Sequence, residues 1–339
     1  MITLAILGGG FMGAAHAGNY VALGDRVRVK TVYSRTTDAA ERVGEMVGAT
    51  PSNDLEAAIS DPDVDAVDIC LPTPLHRMAA ELSFENGKHV FLEKPLALTV
   101  EDGEAILAAA RAGGRTLMVG LVLRFWPEYV ELHRRIASGE LGRPFAVAAS
   151  RLSPPADWAD WYADVAQSGG LPVDLMVHDF DQANWLLGEP RTVHARAATS
   201  SDPAYPDHVV AVVEYNGAAA VVEGSMAMPA SYPFSSLIRV NAERGLAEYA
   251  FRAAPAEGGG NIGAVDESSR GLRLFPRDAE PEIVALPAVD PWGPEIEEFI
   301  SCLEQGREPD NGTGEQALLA LRVSLAASRS LVSGVPEAV

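Results

Sequence analysis

The chain has 339 residues, of which 47% are hydrophobic and 22% charged, and its formal net charge is −21. That length accommodates two cores, the composition excludes a disordered or low-complexity chain, and the acidic balance argues against non-specific nucleic-acid binding, which relies on basic patches. Two cysteines, Cys70 and Cys302, supply neither a disulfide framework nor a metal-ligand spacing, so no metal is expected.

Strand and helix patterns alternate through the first third. Strands are predicted over 2–7, 27–33, 64–71, 89–92 and 116–119, with helices over 12–23, 37–47, 75–86 and 100–112. Near-continuous apolar strands separated by amphipathic helices specify a parallel sheet covered on both faces. This is a doubly wound α/β nucleotide-binding domain, placed at 1–122. A helix over 128–138 and the turn Gly139-Glu140-Leu141-Gly142 follow, and then strand patterns dominate, over 145–150, 192–198, 208–215, 218–226, 237–241 and 246–251. One helix over 174–187 interrupts them, with Gly188 at its C-cap. Asn216-Gly217 is a hairpin turn signal. These features predict a second domain over 123–339 with a mostly antiparallel sheet. The Pro-, Gly-, Glu- and Ser-rich segment 253–269 reads as a mobile loop. Helices near 294–305 and 314–332 close the chain and could pack back on the first domain. Met1 leads into a strand with no basic n-region, and no apolar stretch reaches spanning length, so the sequence reads as a soluble cytoplasmic protein without membrane partners.

Several constellations carry chemistry. Gly8-Gly9-Gly10-Phe11-Met12-Gly13 lies between the first strand and the first helix, the context in which such glycines admit a pyrophosphate onto a helix N-terminus. The second strand ends in Ser34-Arg35-Thr36-Thr37, with no acid until Asp38 to bond a ribose 2′-hydroxyl. A hydroxyl, an arginine and two threonines suit a 2′-phosphate, so NADP is favoured, with NAD possible if Arg35 stacks on adenine. Glu93-Lys94-Pro95 follows a later strand. A lysine there can hydrogen-bond the hydroxyl or carbonyl that a dinucleotide oxidises or reduces, and Pro95 makes a cis peptide possible. Asp174 and His178 stand at i and i+4 on one helical face, continued by Asp181 and Trp185, with Met176, Phe180, Ala183 and Leu187 opposite. Ser168-Gly169-Gly170 precedes them as a loop of close approach, and a histidine beside a carboxylate can trade a proton near neutral pH. A bland polar face is the competing reading of that pair. Trp126, Trp158, Trp161 and Trp185, with Arg124, Arg151 and Tyr162, offer aromatic faces for a sugar or cyclitol ring, although packing explains part of the set, and Trp292 reads as packing. Val210, Val212 and Val221 leave an apolar sheet face that needs covering, which predicts a homo-oligomer.

With these residues in place, the chain resembles the Gfo/Idh/MocA oxidoreductases, the family of glucose–fructose oxidoreductase and inositol dehydrogenase. Gly8 to Gly13 corresponds to the opening motif, and Leu71-Pro72-Thr73-Pro74-Leu75-His76 to a segment that lies along the cofactor. The run from Gly87 to Ala97 carries the Glu-Lys-Pro motif. Arg124-Phe125-Trp126-Pro127 and 139–142 match the domain junction, and Gly169 to Asp181 the catalytic helix. The resemblance implies an N-terminal Rossmann domain and a C-terminal α/β domain with a large, mostly antiparallel open sheet that forms dimers or tetramers. It implies that Lys94, Asp174 and His178 are catalytic. Gly8, Gly10, Phe11, Met12, Gly13, Ser34, Arg35, Leu71, Pro72, Thr73, Leu75, His76, Glu93 and Lys94 would line the cofactor. Arg124, Trp158, Trp161, Tyr162, Asp174 and His178 would meet a carbohydrate or cyclitol substrate. Leu71-Pro72-Thr73 departs from the usual Thr-Pro-Asn, and Val122 from a common polar residue, both near the expected nicotinamide pocket. The leading expectation is an NAD(P)-dependent dehydrogenase acting on a polyhydroxy compound. A glycosidase using transient oxidation by NAD and a non-catalytic ligand sensor on the same fold are the alternatives.

Overall fold

A computed structural model describes residues 1–155, 161, 164–198, 208–254, 261–265, 271–287 and 289–339. The chain forms two compact units, the first from Met1–Phe125 and Asp290–Leu318, the second from Trp126–Val289 and Leu319–Val339.

The first unit begins with β1 (Ile2–Leu7), α1 (Phe11–Ala22), β2 (Val27–Tyr33), α2 (Thr37–Val47), β3 (Thr50–Ser52) and α3 (Leu55–Ser60). It continues with β4 (Ala66–Ile69), α4 (His76–Glu85), β5 (His89–Leu92), α5 (Val100–Gly113) and β6 (Leu117–Val119). All six strands are parallel, in the order β3-β2-β1-β4-β5-β6. The order reverses beside β1, and in such sheets that switch point opens a crevice at the carboxyl ends of the strands. β3 and α3 escape the sequence pattern because each is short and β3 is mostly polar, so no period can establish itself. Helix ends follow their caps: Thr99 accepts from the Asp102 N–H at the start of α5, and Gly114 closes it in the left-handed region. The core joins Leu4, Ile6, Val29, Val32, Phe91 and Met118 to Ile296, Phe299 and Ile300, contributed from the far end of the chain by the helix Gly293–Gln305.

The second unit contains α6 (Pro127–Ala137), β7 (Pro144–Leu152), α7 (Val165–Ser168), α8 (Leu171–Asp174), α9 (Val177–Leu187), β8 (Pro190–Ala198), β9 (His208–Tyr215), β10 (Ala218–Ser225), β11 (Ser235–Ala242), β12 (Gly245–Ala254), β13 (Asn261–Val265), β14 (Leu272–Pro276) and β15 (Glu282–Val284). Two closing helices, α10 (Gly293–Gln305) in the first unit and α11 (Gly314–Ser333), are followed by β16 (Glu337–Ala338). The sheet runs β15-β14-β12-β11-β7-β10-β9-β8-β16, with β13 paired to β12. It is antiparallel except where β10 meets β7. Tyr215 pairs with Ala218 across the Asn216-Gly217 turn, and Gly217 takes the positive φ that this hairpin needs. Along β9 buried and exposed residues alternate strictly, so one sheet face packs and the other is open.

Two expectations need correction. Residues 174–187 are two helices rather than one: Asp174 ends α8 and His178 is the second residue of α9. Between them Met176 packs over Gly224 of β10, where a Cβ would lie 2.5 Å from the Met176 Cγ, and this seat in the sheet interrupts the helix. The supposed mobile loop over 253–269 supplies the end of β12 and the strand β13, while 255–260 and 266–269 lie outside the described residues. Among the described residues no helix is long and apolar enough to cross a membrane.

Candidate active site

In the first unit, the motifs selected from sequence all fall at the carboxyl ends of parallel strands. Gly8 follows β1, Ser34 follows β2, Leu71 to Thr73 follow β4, and Glu93 and Lys94 follow β5. The glycine turn divides its labour. Gly8 has φ +133°, and a Cβ there would sit 2.3 Å from the Cys70 carbonyl oxygen; one on Gly13 would sit 1.8 Å from the Gly8 carbonyl oxygen. Both allow strand, turn and helix to close upon one another. A Cβ on Gly10 would meet nothing within 4 Å. Gly10 is the N-cap of α1, where no side chain caps the helix and no acid occupies the first turn. An uncapped, acid-free helix start beside open space suits a pyrophosphate, so these residues fit a dinucleotide. Phe11, exposed, meets Trp292 edge-on at 5.8 Å, and Trp292 packs against the core. Ser34 is half-buried and Arg35 exposed, while Arg42 donates from Nη2 to the Gly9 carbonyl at 2.7 Å, bracing the turn from α2.

Leu71, Pro72 and Lys94 are half-buried, Thr73 is buried and Leu75 exposed. His76 is a strut between two of the loops: buried, it has Nδ1 3.0 Å from the Pro95 carbonyl and Nε2 2.8 Å from the Leu71 carbonyl. Burial lowers its pKa despite these acceptors. The Lys94–Pro95 peptide is cis. Glu93 is buried, and its Oε2 accepts the Lys94 backbone N–H at 3.0 Å. Arg124 is buried in the turn Val122–Arg124.

In the second unit, Gly169 and Gly170 both take positive φ. The Ser168 Oγ accepts from the Gly170 N–H and donates to the Asp164 carbonyl. This turn delivers Asp174, buried, and His178, half-buried. Asp179 beside them is paired with Arg151, which therefore serves the scaffold. Trp126 packs edge-on against Phe251 at 5.1 Å, and Trp185 stacks on His133 at 3.9 Å, so both are packing residues. Trp161 is half-buried, and Trp158 and Tyr162 lie outside the described residues.

Sequence reasoning missed a buried polar group behind Glu93. His16 on α1, Asp68 in β4 and Glu295 on α10 are each fully buried, with Tyr20 and Cys70 beside them. The legible signal was Asp68, an acid in the midst of an apolar strand. A buried carboxylate demands partners from elsewhere in the chain.

Residues 2–121 match the family described as oxidoreductase family, NAD-binding Rossmann fold, and residues 129–248 match the GFO/IDH/MocA C-terminal domain. The chain belongs to the Gfo/Idh/MocA oxidoreductase family. It is 28% identical to a scyllo-inositol 2-dehydrogenase (NAD(+)) of Bacillus subtilis, over 99% of this chain and 95% of that protein. An inositol 2-dehydrogenase of Rhizobium meliloti is 29% identical, over 97% of each chain. Among solved structures, the aldose-aldose oxidoreductase of Caulobacter crescentus, complexed with glycerol, superposes with a TM-score of 0.83 at 26% identity, covering 100% of this chain and 99% of that one. The family accounts for both sheets and for the glycine turn on β1.

Proposed function

We propose that this Gfo/Idh/MocA oxidoreductase is a dehydrogenase that acts on a CH–OH group of a sugar, an inositol or a related polyhydroxy compound, with NADP preferred over NAD. The observation that carries the reading is the placement of the glycine turn, Leu71 to Thr73 and Glu93-Lys94 along one crevice edge of a parallel sheet. The inositol and aldose activities named for its relatives support the substrate class.

The bound nicotinamide would supply the hydride acceptor or donor. The uncapped start of α1 would hold the pyrophosphate, and Ser34 and Arg35 the ribose phosphate. Lys94 is assigned to the substrate oxygen, to which its ammonium donates. His178 is assigned the hydroxyl proton, and Asp174 the orientation of that imidazole. Arg124 and Trp161 are the described candidates for substrate contacts.

A screen of sugars and cyclitols with both cofactors tests the reading. Lys94→Ala and His178→Ala should each lower kcat by about 10²–10⁴-fold, the range for positioned acid–base groups, while cofactor still binds. The double variant should lose less than the product, because the groups act as a unit. A base must be unprotonated to accept, so oxidation should slow toward acid pH, and His178→Ala should remove that limb. Near-full activity of His178→Ala with the limb intact would refute its role.

A further inference from the structure

Behind the strand end that carries Lys94, polar side chains form a continuous line through the interior of the first unit. Asp68 is saturated with donors: its Oδ2 accepts from Tyr20 Oη at 3.0 Å and faces His16 Nδ1 at 2.9 Å, and its Oδ1 accepts from Cys70 Sγ at 3.3 Å. His16 Nε2, the opposite ring nitrogen, lies 3.2 Å from Glu93 Oε1. That separation is an ion-pair distance, but the ring N–H does not point along it, so Nε2 makes no directed hydrogen bond. Glu93 Oε2 in turn holds the Lys94 backbone N–H. Glu295 closes the group, its two carboxyl oxygens buried and without hydrogen-bond partners. His16, Glu93 and Glu295 each present an atom within 4.8 Å of the others.

We propose that Asp68 and His16 are positioning residues, which hold the Glu93 carboxylate and through it fix the backbone from which Lys94 projects. The proposal rests on the assignment of Lys94 to the substrate oxygen. The chemistry favours protons as the charge that balances the group. Burial lowers the His16 pKa, but the charge and hydrogen bond of Asp68, together with those of Cys70, outweigh it, and the imidazole titrates well above its usual range. Burial, with the Asp68 charge next, pushes the Cys70 thiol itself far up. Burial, with the Glu93 charge next, raises Glu295 well above the ordinary carboxyl range, and Tyr20 is likewise held protonated by burial. His16 therefore remains an imidazolium through neutral pH. Its grip on Glu93 is complete below about pH 6.5 and is released as pH rises through the higher folded value.

Gly120, at the end of β6, gives an independent handle. A Cβ there would approach Glu93 Oε1 to 3.2 Å, displacing the same carboxylate without altering a polar group.

The test is steady-state kinetics with myo-inositol, or the polyol that turns over fastest in the screen, alongside cofactor titration and thermal unfolding. Glu93→Ala should lower kcat at least tenfold, and His16→Asn should leave cofactor affinity within threefold. Glu93→Gln, which keeps an acceptor for the Lys94 N–H, should recover part of that loss. His16→Asn should lower kcat and shift the alkaline limb of the kcat profile, and Gly120→Ala should lower kcat with that limb in place. A folded His16→Asn with wild-type kcat and pH profile would overturn the proposal, as would a His16→Asn or Gly120→Ala whose kcat and cofactor affinity fall together. Lys94→Ala separates the two readings. If it turns over at the wild-type rate, the lysine assignment fails, whereas a silent His16→Asn beside an inactive Lys94→Ala removes only the positioning role. One equivalent of tightly bound metal in the purified protein, measured by mass spectrometry, would show that a cation rather than protons balances the group and would also overturn it.

Discussion

Arg151 of β7 and Asp179 of α9 meet at two points, Nε to Oδ2 at 2.8 Å and Nη2 to Oδ1 at 3.0 Å, with both side chains nearly inaccessible to solvent. The contact fixes the first turn of α9 to the sheet one residue beyond His178. Removing one partner from a buried pair strands the other charge and costs about 3–5 kcal/mol, whereas replacing both with apolar groups is often neutral. Asp179→Asn should therefore lower the melting temperature of the second unit by several degrees, and Arg151→Met with Asp179→Leu should restore most of it. Calorimetry distinguishes these outcomes; a double variant no better than the single would refute the view of the pair as a scaffold clamp.

The two glycines of the β1–α1 turn should fail in different ways. Gly13→Ala drives a methyl group into the Gly8 carbonyl and should cost about 3 kcal/mol or more of stability. Gly10→Ala meets no protein atom, so its melting temperature should stay near that of the wild type while cofactor affinity falls. Thermal shift with and without dinucleotide reads both. Unimpaired cofactor binding by Gly10→Ala would argue against a pyrophosphate at this turn.

Arg35, exposed at the end of β2, should discriminate between cofactors. An arginine–phosphate contact contributes about 1.5–3 kcal/mol, or roughly ten- to hundred-fold in affinity. Arg35→Ala should weaken NADP by that factor and leave NAD nearly unchanged. Fluorescence titration that finds NAD equal or tighter in the wild type, and unmoved in the variant, would refute the preference.

Most of the first sheet was legible because its strands other than β3 are rich in apolar residues and its longer helices have an amphipathic face. In the second unit β7 to β12 were legible as strands, whereas β13 to β16, two to five residues each, were not; the strand order was hidden as well, since β10 pairs with both β9 and β7 through side-by-side contacts that leave no mark on local sequence. The break after Asp174 was invisible because Met176 suits a continuous helix, and its cause is a glycine far along the chain. The polar group around His16 was hidden for the same reason. Its members come from α1, β4, the end of β5 and α10, and no local spacing connects them.

Glu295 gives a pH signature with a definite sign. Its folded pKa is raised by burial, so the stability of the folded chain declines as pH rises from the unfolded value of about 4.3 toward the folded one. Glutamine resembles the protonated acid and does not titrate. Glu295→Gln should therefore melt at or above the wild-type temperature at pH 8, with the difference closing toward pH 5. A variant less stable by the same margin at every pH would show that Glu295 is ionised in the folded protein.

Val212 and Val221 stand directly opposite one another on the open face of the second sheet, each about two-fifths exposed. If this face joins chains, light scattering should report a multiple of the chain mass, and Val212→Glu with Val221→Glu should reduce it to one chain. A wild-type monomer at micromolar concentration would refute the interface.

The participation of Phe299 and Ile300 in the core around Leu4 and Phe91 has a consequence for biosynthesis. On the ribosome, the amino-terminal part of the first unit emerges long before α10 exists, and Trp126–Val289 of the second unit is translated in the interval. The sheet must wait with one flank uncovered, so the amino-terminal domain cannot complete its core before most of the second unit has been made, as it would if domains folded strictly in turn. A fragment ending at Phe125 would remain in that waiting state, and a chaperone that shields apolar flanks would have its longest engagement with the earliest-made part of the chain.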